Sequence, residues 1–266
     1  MTAALELGGV SKTFAGLTAV RPLTFSVAAG SITGLLGPSG SGKTVVLDMI
    51  AGQIAPDAGS IRLATMDGAS ELHEIAGLPA HAVTAMGIGR TWSDVRLIGA
   101  PSVLDEIVLG AYALRTTGLL GSILRIGDAR REMQQIRERA SQLLALVGLA
   151  ERSRSRGETL SRGERTRVGI ARALACEPSL LLLDGPANGL TAEDRDDIVG
   201  LIRLLRDAGI TVLLADRNMQ LISNCCDQVI VLNAGRLIAE GRPSHCFQHP
   251  DVQRAYFGAA TADIAC

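Results

Sequence analysis

The chain carries almost no net charge: 26 lysines and arginines against 27 aspartates and glutamates leave a formal −1 over 266 residues. Without a basic excess there is no electrostatic reason for a polyanionic partner, and no nucleic acid is expected to bind. A disulfide framework is lacking too. The five cysteines, Cys176, Cys225, Cys226, Cys246 and Cys266, are odd in number and show no CxxC spacing. This argues against a zinc site and for reduced thiols. Long apolar runs are missing: Leu180 to Leu183 and Val229 to Leu232 fall far short of the roughly 18 residues that span a bilayer. No early run approaches a signal peptide, so the chain is expected to be cytoplasmic and to meet a membrane only through another chain. Neither an internal repeat nor a low-complexity linker interrupts it. What remains is a globular profile, 47% hydrophobic and 20% charged. The chain is long enough for one large α/β domain, or a core with a smaller appended domain, without covalent staples.

Along the chain, short apolar runs at Leu5 to Val10, Leu23 to Val27 and Ile32 to Leu36 are separated by glycine turns and predict a β-rich lobe. The third run feeds a glycine-rich loop and then a helix. Residues 79 to 90 keep weak helical spacing. After Trp92 the pattern is plainly helical, at Val103 to Leu114 and in a charged amphipathic stretch from about Asp128 to Val147. From Ser161 strands and helices alternate: a helix through Ala175, an apolar strand Leu180 to Leu183, a helix Ala192 to Ala208 and a strand Ile210 to Ala215. That alternation implies a parallel sheet. Residues 229 to 240 read as two strands joined by an Asn-Ala-Gly turn, with short helices beyond Gly241.

Gly37-Pro38-Ser39-Gly40-Ser41-Gly42-Lys43-Thr44 matches the G-x-x-x-x-G-K-[ST] phosphate loop at every fixed position, and it lies between an apolar strand and an amphipathic helix, as the mechanism requires. Its glycines allow consecutive backbone N–H groups to turn onto phosphates, and the helix N-terminus adds its positive end. Lys43 is expected to reach the β- and γ-phosphates, and the Thr44 hydroxyl to ligate magnesium. Asp184, at the end of the Leu180 to Leu183 strand, fits the carboxylate that steadies that ion.

Leu160-Ser161-Arg162-Gly163-Glu164, followed by Ile170-Ala171-Arg172-Ala173-Leu174 and then the Asp184 strand, resembles the ATP-binding subunits of ABC transporters in order and spacing. Within that family the chain is most similar to subunits of branched-chain and hydrophobic amino-acid uptake systems. The residues that carry this are Met86 to Trp92 (MGIGRTW), Val95-Arg96-Leu97, Val103-Leu104-Asp105-Glu106, Ala145 to Leu149 (ALVGL) and Ala255-Tyr256-Phe257-Gly258. The likeness runs from Leu5 to about Gly258.

The resemblance implies a P-loop NTPase (RecA-like) α/β core with an N-terminal antiparallel β lobe and an inserted α-helical subdomain. The divisions expected are 1–90 and 168–245 for the core, 91–167 for the helical subdomain and 246–266 for a tail. It also implies ATP and Mg2+ as ligands and head-to-tail dimers, in which one chain's phosphate loop and the other's signature helix enclose each ATP. Partners would be transmembrane permease subunits and a homologous ATP-binding subunit, or a second copy of this chain, at the inner face of the cell membrane. Ser161 and the Gly163 backbone would face the partner's γ-phosphate. Phe14 would stack on adenine, a contact worth about 1 kcal/mol by analogy with base stacking; the alternative is a core phenylalanine. Arg162 and Glu164 depart from the family pattern, where a small or aromatic residue and a glutamine are usual. Glu164 sets an extra negative charge near phosphate against its suitability for a helix N-terminus.

Three further departures fall at the chemical positions. Gly185 stands immediately after Asp184, where the family has the glutamate that polarises the attacking water; loss of a positioned base costs about 10²- to 10⁴-fold in rate. Arg217 stands where a switch histidine contacts the γ-phosphate. The only histidines are His73, His81, His245 and His249, and arginine can neutralise charge but accepts no proton; a solvated surface arginine is the alternative. Ser93 replaces a glutamine that senses magnesium and water, and it is too short to span the same gap. With the loop and Asp184 intact, the expectation is that binding is kept and hydrolysis weakened. Two competing readings are an active importer ATPase with a substitute base such as Asp216, and a stand-alone regulatory ATP switch.

Overall fold

The structure, a computed structural model, describes residues 2–64, 71–95, 97–111 and 126–258. Two sheets share the described chain. Strands β1 (Ala3–Phe14) and β2 (Leu17–Ala28) form a long antiparallel hairpin. Strand β4 (Ala58–Ala64) pairs with β1, and β5 (Leu72–Glu74) with β4, giving the order β2-β1-β4-β5. This is the antiparallel lobe that the opening runs predict, with strands longer than their apolar cores.

The second sheet has the order β10-β9-β3-β8-β7-β6. Its strands are β3 (Ile32–Leu36), β6 (Ile88–Arg90), β7 (Leu180–Asp184), β8 (Thr211–Asp216), β9 (Gln228–Asn233) and β10 (Arg236–Gly241). All neighbouring pairs are parallel except β9 with β10. Every residue of β3, β7 and β8 is buried, as expected of parallel strands covered on both faces. Their side chains alternate between two cores: Leu181, Leu183, Val212 and Leu214 face one, and Leu180, Leu182, Leu213 and Ala215 face the other. Truncating any of these leucines to alanine costs about 2–5 kcal/mol, so the strand register is firmly held.

Residues 79 to 90 correct the sequence reading. The helical spacing there yields only a short helix α2 (Ala80–Ala85), and Gly87, at φ +98, turns the chain into β6. A three-residue strand is too short to show a period of two, which is why the helix-like spacing dominated. Helix α1 (Lys43–Ile50) follows the phosphate loop. Helix α3 (Val103–Gly110) begins at Ser102, whose hydroxyl accepts the Asp105 N–H; the expected continuation to Leu114 lies outside the described residues. Helices α4 (Ile126–Leu146) and α5 (Arg162–Leu174) complete the helical middle. Helices α6 (Ala192–Asp207) and α7 (Met219–Cys225) flank β8 in the chain, and α8 (Pro243–Cys246) and α9 (Pro250–Phe257) close the described part. Among the described residues no helix is long and apolar enough to cross a membrane. Cys176, Cys225, Cys226 and Cys246 are free and buried.

Candidate functional site

Strand register brings the candidate site together. Leu36, which leads into the phosphate loop, pairs with Asp216, and Asp184 pairs with Ala215. The loop and both aspartates therefore project from the carboxyl edge of three adjacent parallel strands, where open α/β sheets place ligands. At two of its glycines the loop has no room for a side chain. A Cβ on Gly37 would overlap the Leu232 carbonyl and Ser41 Oγ, and Gly42, at φ +100, would set a Cβ 2.7 Å from the Ala19 carbonyl oxygen. Gly40–Val45 line a cleft of about 450 Å³ with Leu17–Ala19, Arg21 and Ala234. Pro38 and Ser39 complete the turn.

Lys43 donates to the carbonyls of Gly37 and Pro38 at 2.7 and 2.8 Å and lies 3.2 Å from Ser41 Oγ. Burial lowers the pKa of its ammonium, against the attraction of Asp184 and Asp216 and with a further lowering from Arg217. Thr44 Oγ1 donates to Asp184 Oδ1 at 3.4 Å. One hydroxyl and one carboxylate, side by side and both hard oxygen donors, suit Mg2+, which takes its remaining ligands from phosphate and water. No group of three or more acidic, histidine or cysteine side chains that could hold a metal occurs among the described residues, so an all-protein metal cage is not what these residues build. Thr44 and Asp184 fit the ion they would hold, whose charge would help neutralise that of the phosphates.

Burial pushes the Asp184 carboxyl above the usual range, opposed by the Thr44 hydrogen bond and by Arg90. Arg90, which the sequence reading used only as part of a family motif, ends β6 with its side chain 5% exposed, 2.6 Å from Asp48 Oδ1 and 3.9 Å from Asp184 Oδ2. Its guanidinium lies 5.6 Å over the Trp92 ring. Asp48 is four residues beyond Thr44 on α1, so helical spacing puts both on one face; that spacing, and a charge ending an apolar strand, were the available signals. Asp216 is 2% exposed. Its Oδ1 accepts the Asn218 N–H at 2.9 Å, the N–H groups of Arg217 and Ala187 also face it, and burial is the main cause of its raised pKa. The buried Tyr256 hydroxyl, from α9, lies against the Gly37 backbone and feels the Asp216 charge.

The three departing positions are close to this edge. Gly185, buried, takes φ +54 and donates its N–H to the Ala215 carbonyl at 2.7 Å. Ser93 is exposed, its Cβ 3.4 Å from where a Cβ on Gly185 would lie. Arg217 is exposed and near enough to Lys43 for its charge to act there. Phe14 is 43% exposed, which removes the core alternative. It stands at the hairpin tip opposite Leu17, a lining residue of the cleft, with Lys12 Nζ 5.6 Å from its ring centre.

Ser161 and Gly163 open α5. Ser161 Oγ accepts the Glu164 N–H at 3.1 Å, Glu164 Oε2 accepts the Ser161 N–H at 2.8 Å, and Arg152 Nε donates to Glu164 Oε1 at 3.0 Å. This capping box holds the Glu164 pKa low, chiefly through the Ser161 N–H. The Glu164 charge is thus engaged at its own helix terminus. A Cβ on Gly163 would overlap the Asp194 carboxylate. Among the described residues no hydrogen bond or ion pair joins Ser161 or Gly163 to residues 37–44 of the same chain.

A family model described as ABC transporter matches residues 20–188. The chain is 34% identical over 257 residues to the high-affinity branched-chain amino acid transport ATP-binding protein BraF of Pseudomonas aeruginosa, covering 96% of this chain and 98% of that protein. It is also 34% identical over 256 residues to the lipopolysaccharide export system ATP-binding protein LptB of Escherichia coli, with coverage of 96% and 98%. Its fold is similar to that of MJ1267 in the ADP conformation, an ATP-binding cassette of an ABC transporter, with a TM-score of 0.82 at 24% identity over 97% of this chain and 100% of the other. Phosphate loop, carboxylate strand and signature helix, set in this fold and matched over nearly the full length by such relatives, place the chain in the ABC transporter family as an ATP-binding subunit.

Proposed function

We propose that the chain binds Mg-ATP in a two-chain sandwich and that its own site hydrolyses ATP poorly. The observation that carries this reading is Gly185: the residue after Asp184 offers no carboxylate, where the family resemblance calls for a general base. Asp216 is a poor substitute, because its carboxylate is buried among three backbone N–H groups and would have to leave them to reach water. Arg217 can neutralise phosphate charge but cannot relay a proton, and Ser93 is short.

Ser161 and Gly163 supply a capped helix terminus whose polar contacts all lie away from their own chain's phosphate loop. That supports a second ATP-binding subunit, a homologue or another copy, as the chain whose ATP they meet. The binding role then outlives the catalytic one: ATP held here closes the pair, and the signature helix serves the partner's site.

The transmembrane partner is expected at the cleft of about 270 Å³ lined by Trp92, Ile98, Leu109 and Arg172. Trp92, Ile98 and Leu109 are 45%, 71% and 37% exposed, an apolar rim suited to a cytoplasmic helix of a permease subunit. The subunit would then sit on the inner face of the membrane through that contact. Branched-chain amino acids, or related small polar solutes, are the transported class taken from BraF. The equal identity to LptB, of a lipopolysaccharide export system, supports an ATP-binding role common to both directions of transport.

The test is Mg-ATP binding and steady-state hydrolysis by the purified chain, alone and co-purified with its permease subunits. Magnesium-dependent binding with turnover at background in the isolated chain is expected. Robust turnover by the isolated homodimer would overturn the impairment and favour a substitute base.

A further inference from the structure

The loop after Asp184 is a tight turn. Asn188 N–H donates to the Gly185 carbonyl at 3.0 Å, with Pro186 and Ala187 between. This i to i+3 closure, with proline at its second position, folds residue 188 back over residue 185. The Asn188 amide consequently occupies the volume in which a side chain on residue 185 would start. A Cβ there would overlap Asn188 Nδ2 and lie 3.1 Å from its Cγ, with Ser93 Cβ at 3.4 Å on the other side.

The positive φ of Gly185 strains a side chain at this place but does not forbid one. Gly185 has φ +54, yet Ala15, Glu177 and Ala234 adopt φ 45, 54 and 46 elsewhere in the same chain. A glutamate at the φ of Gly185 is thus already realised at Glu177. Beyond that strain, the obstacle at residue 185 is the Asn188 amide, which would have to move aside.

We propose that Asn188 holds the place of the missing general base: its amide is the polar group presented to the γ-phosphate end of a bound ATP, and it keeps a carboxylate at residue 185 out. This rests on the impaired-hydrolysis reading above and extends it. An amide can donate to phosphate or orient a water through its carbonyl, but it takes no proton at neutral pH. The chain has therefore not merely lost a side chain. A neutral group that binds without reacting has closed over the position.

Two measurements test this. In a chain that also carries Ser93→Gln and Arg217→His, Gly185→Glu is compared with Gly185→Glu plus Asn188→Ala, and Mg-ATP binding is measured on both to show that each is folded. Turnover at least about tenfold higher with Asn188 shortened is expected, at the low end of what a positioned base contributes. Equal turnover, whether both variants are active or both silent, overturns the proposal. In the otherwise unmodified chain, Asn188→Asp sets a carboxylate of the same size at this place. It is expected to weaken ATP about fivefold more than ADP, the effect of one added charge a few ångströms from the γ-phosphate in a wet site. Equal weakening of both nucleotides overturns the proposal. Robust turnover in the unmodified chain would sink the impairment reading alone, leaving Asn188 to be judged by the ATP and ADP affinities.

Discussion

Replacing Arg90 with methionine isolates the electrostatics of the site from its hydrogen bonding. Arg90 is 5% exposed and stands between Asp48, 27% exposed at 2.6 Å, and Asp184, 8% exposed at 3.9 Å. Its guanidinium nitrogens are buried without hydrogen-bond geometry to a partner, so its attraction is Coulombic in a poorly solvated setting. Methionine keeps much of the packing volume and contact with Trp92 but leaves two carboxylates beside each other. Breaking a buried pair by removing one partner costs about 3–5 kcal/mol; because water reaches Asp48, the expected loss is about 2–4 kcal/mol. For a chain of this size each kcal/mol moves Tm by about 2–4 °C, so a fall of roughly 4–16 °C should accompany it. Urea denaturation at pH 7.5 and at pH 5 supplies the check. The loss should shrink at the lower pH, since the Asp184 carboxyl, already raised by burial, takes up a proton more readily once the cation is gone. A loss below about 1 kcal/mol, or one unchanged by pH, would refute the assignment of Arg90 as the charge that makes this carboxylate pair tolerable.

Asp184→Asn should stabilise the nucleotide-free chain at pH 8 while removing the magnesium-dependent part of ATP binding, a trade of stability against function. The sign follows from the raised pKa. Between the unfolded carboxylate value of 3.8 and the higher folded one, the folded state binds more protons, so stability falls as pH rises through that window. The advantage of asparagine should thus vanish toward acid pH, and a net loss at pH 8 in urea titrations would contradict the burial argument. Glu106→Ala removes a 1%-exposed carboxylate that accepts the Gly99 and Ala100 N–H groups at 2.8 and 2.9 Å and lies 3.3 Å from Arg172 Nη1. About 3 kcal/mol of stability should be lost, with Glu106→Gln recovering much of it. Co-purification with permease subunits should fail for the alanine variant, because these bonds hold the backbone next to Ile98; undiminished capture would separate this segment from the docking surface.

The sheet was legible because its information is local: a fully apolar strand ending in Asp184 and a complete phosphate loop each announce themselves within ten residues. Thr44 and Asp184 meet because β3 and β7, with β8 between them in the parallel sheet, put their ends on one edge. What the sequence could not show was contact across elements. Phe14 could be core or rim until the hairpin tip proved exposed. Glu164 remained ambivalent because a capping-box sequence does not by itself show that the box closes, or that Arg152, twelve residues earlier, adds a second contact. Arg90 and Asp48 belong to a strand and a helix some forty residues apart, and the strand was too short to be recognised. The Asn188 amide filling the space at residue 185 depends on one turn's geometry, to which composition and spacing are blind.

Lys43 has a further consequence. Its ammonium is hydrogen-bonded to the Gly37 and Pro38 carbonyls of its own loop, so the loop contains an internal ligand that stitches its two limbs together. Nucleotide entry is then an exchange reaction: neutral carbonyl acceptors are traded for charged phosphate oxygens, and only the difference between them appears as affinity. A Lys43 substitution accordingly acts twice, loosening the loop before any nucleotide arrives and removing the charge afterwards. The loss of ATP binding that such a variant shows measures the sum of the two, and it overstates the phosphate contact by whatever the loop loses in order.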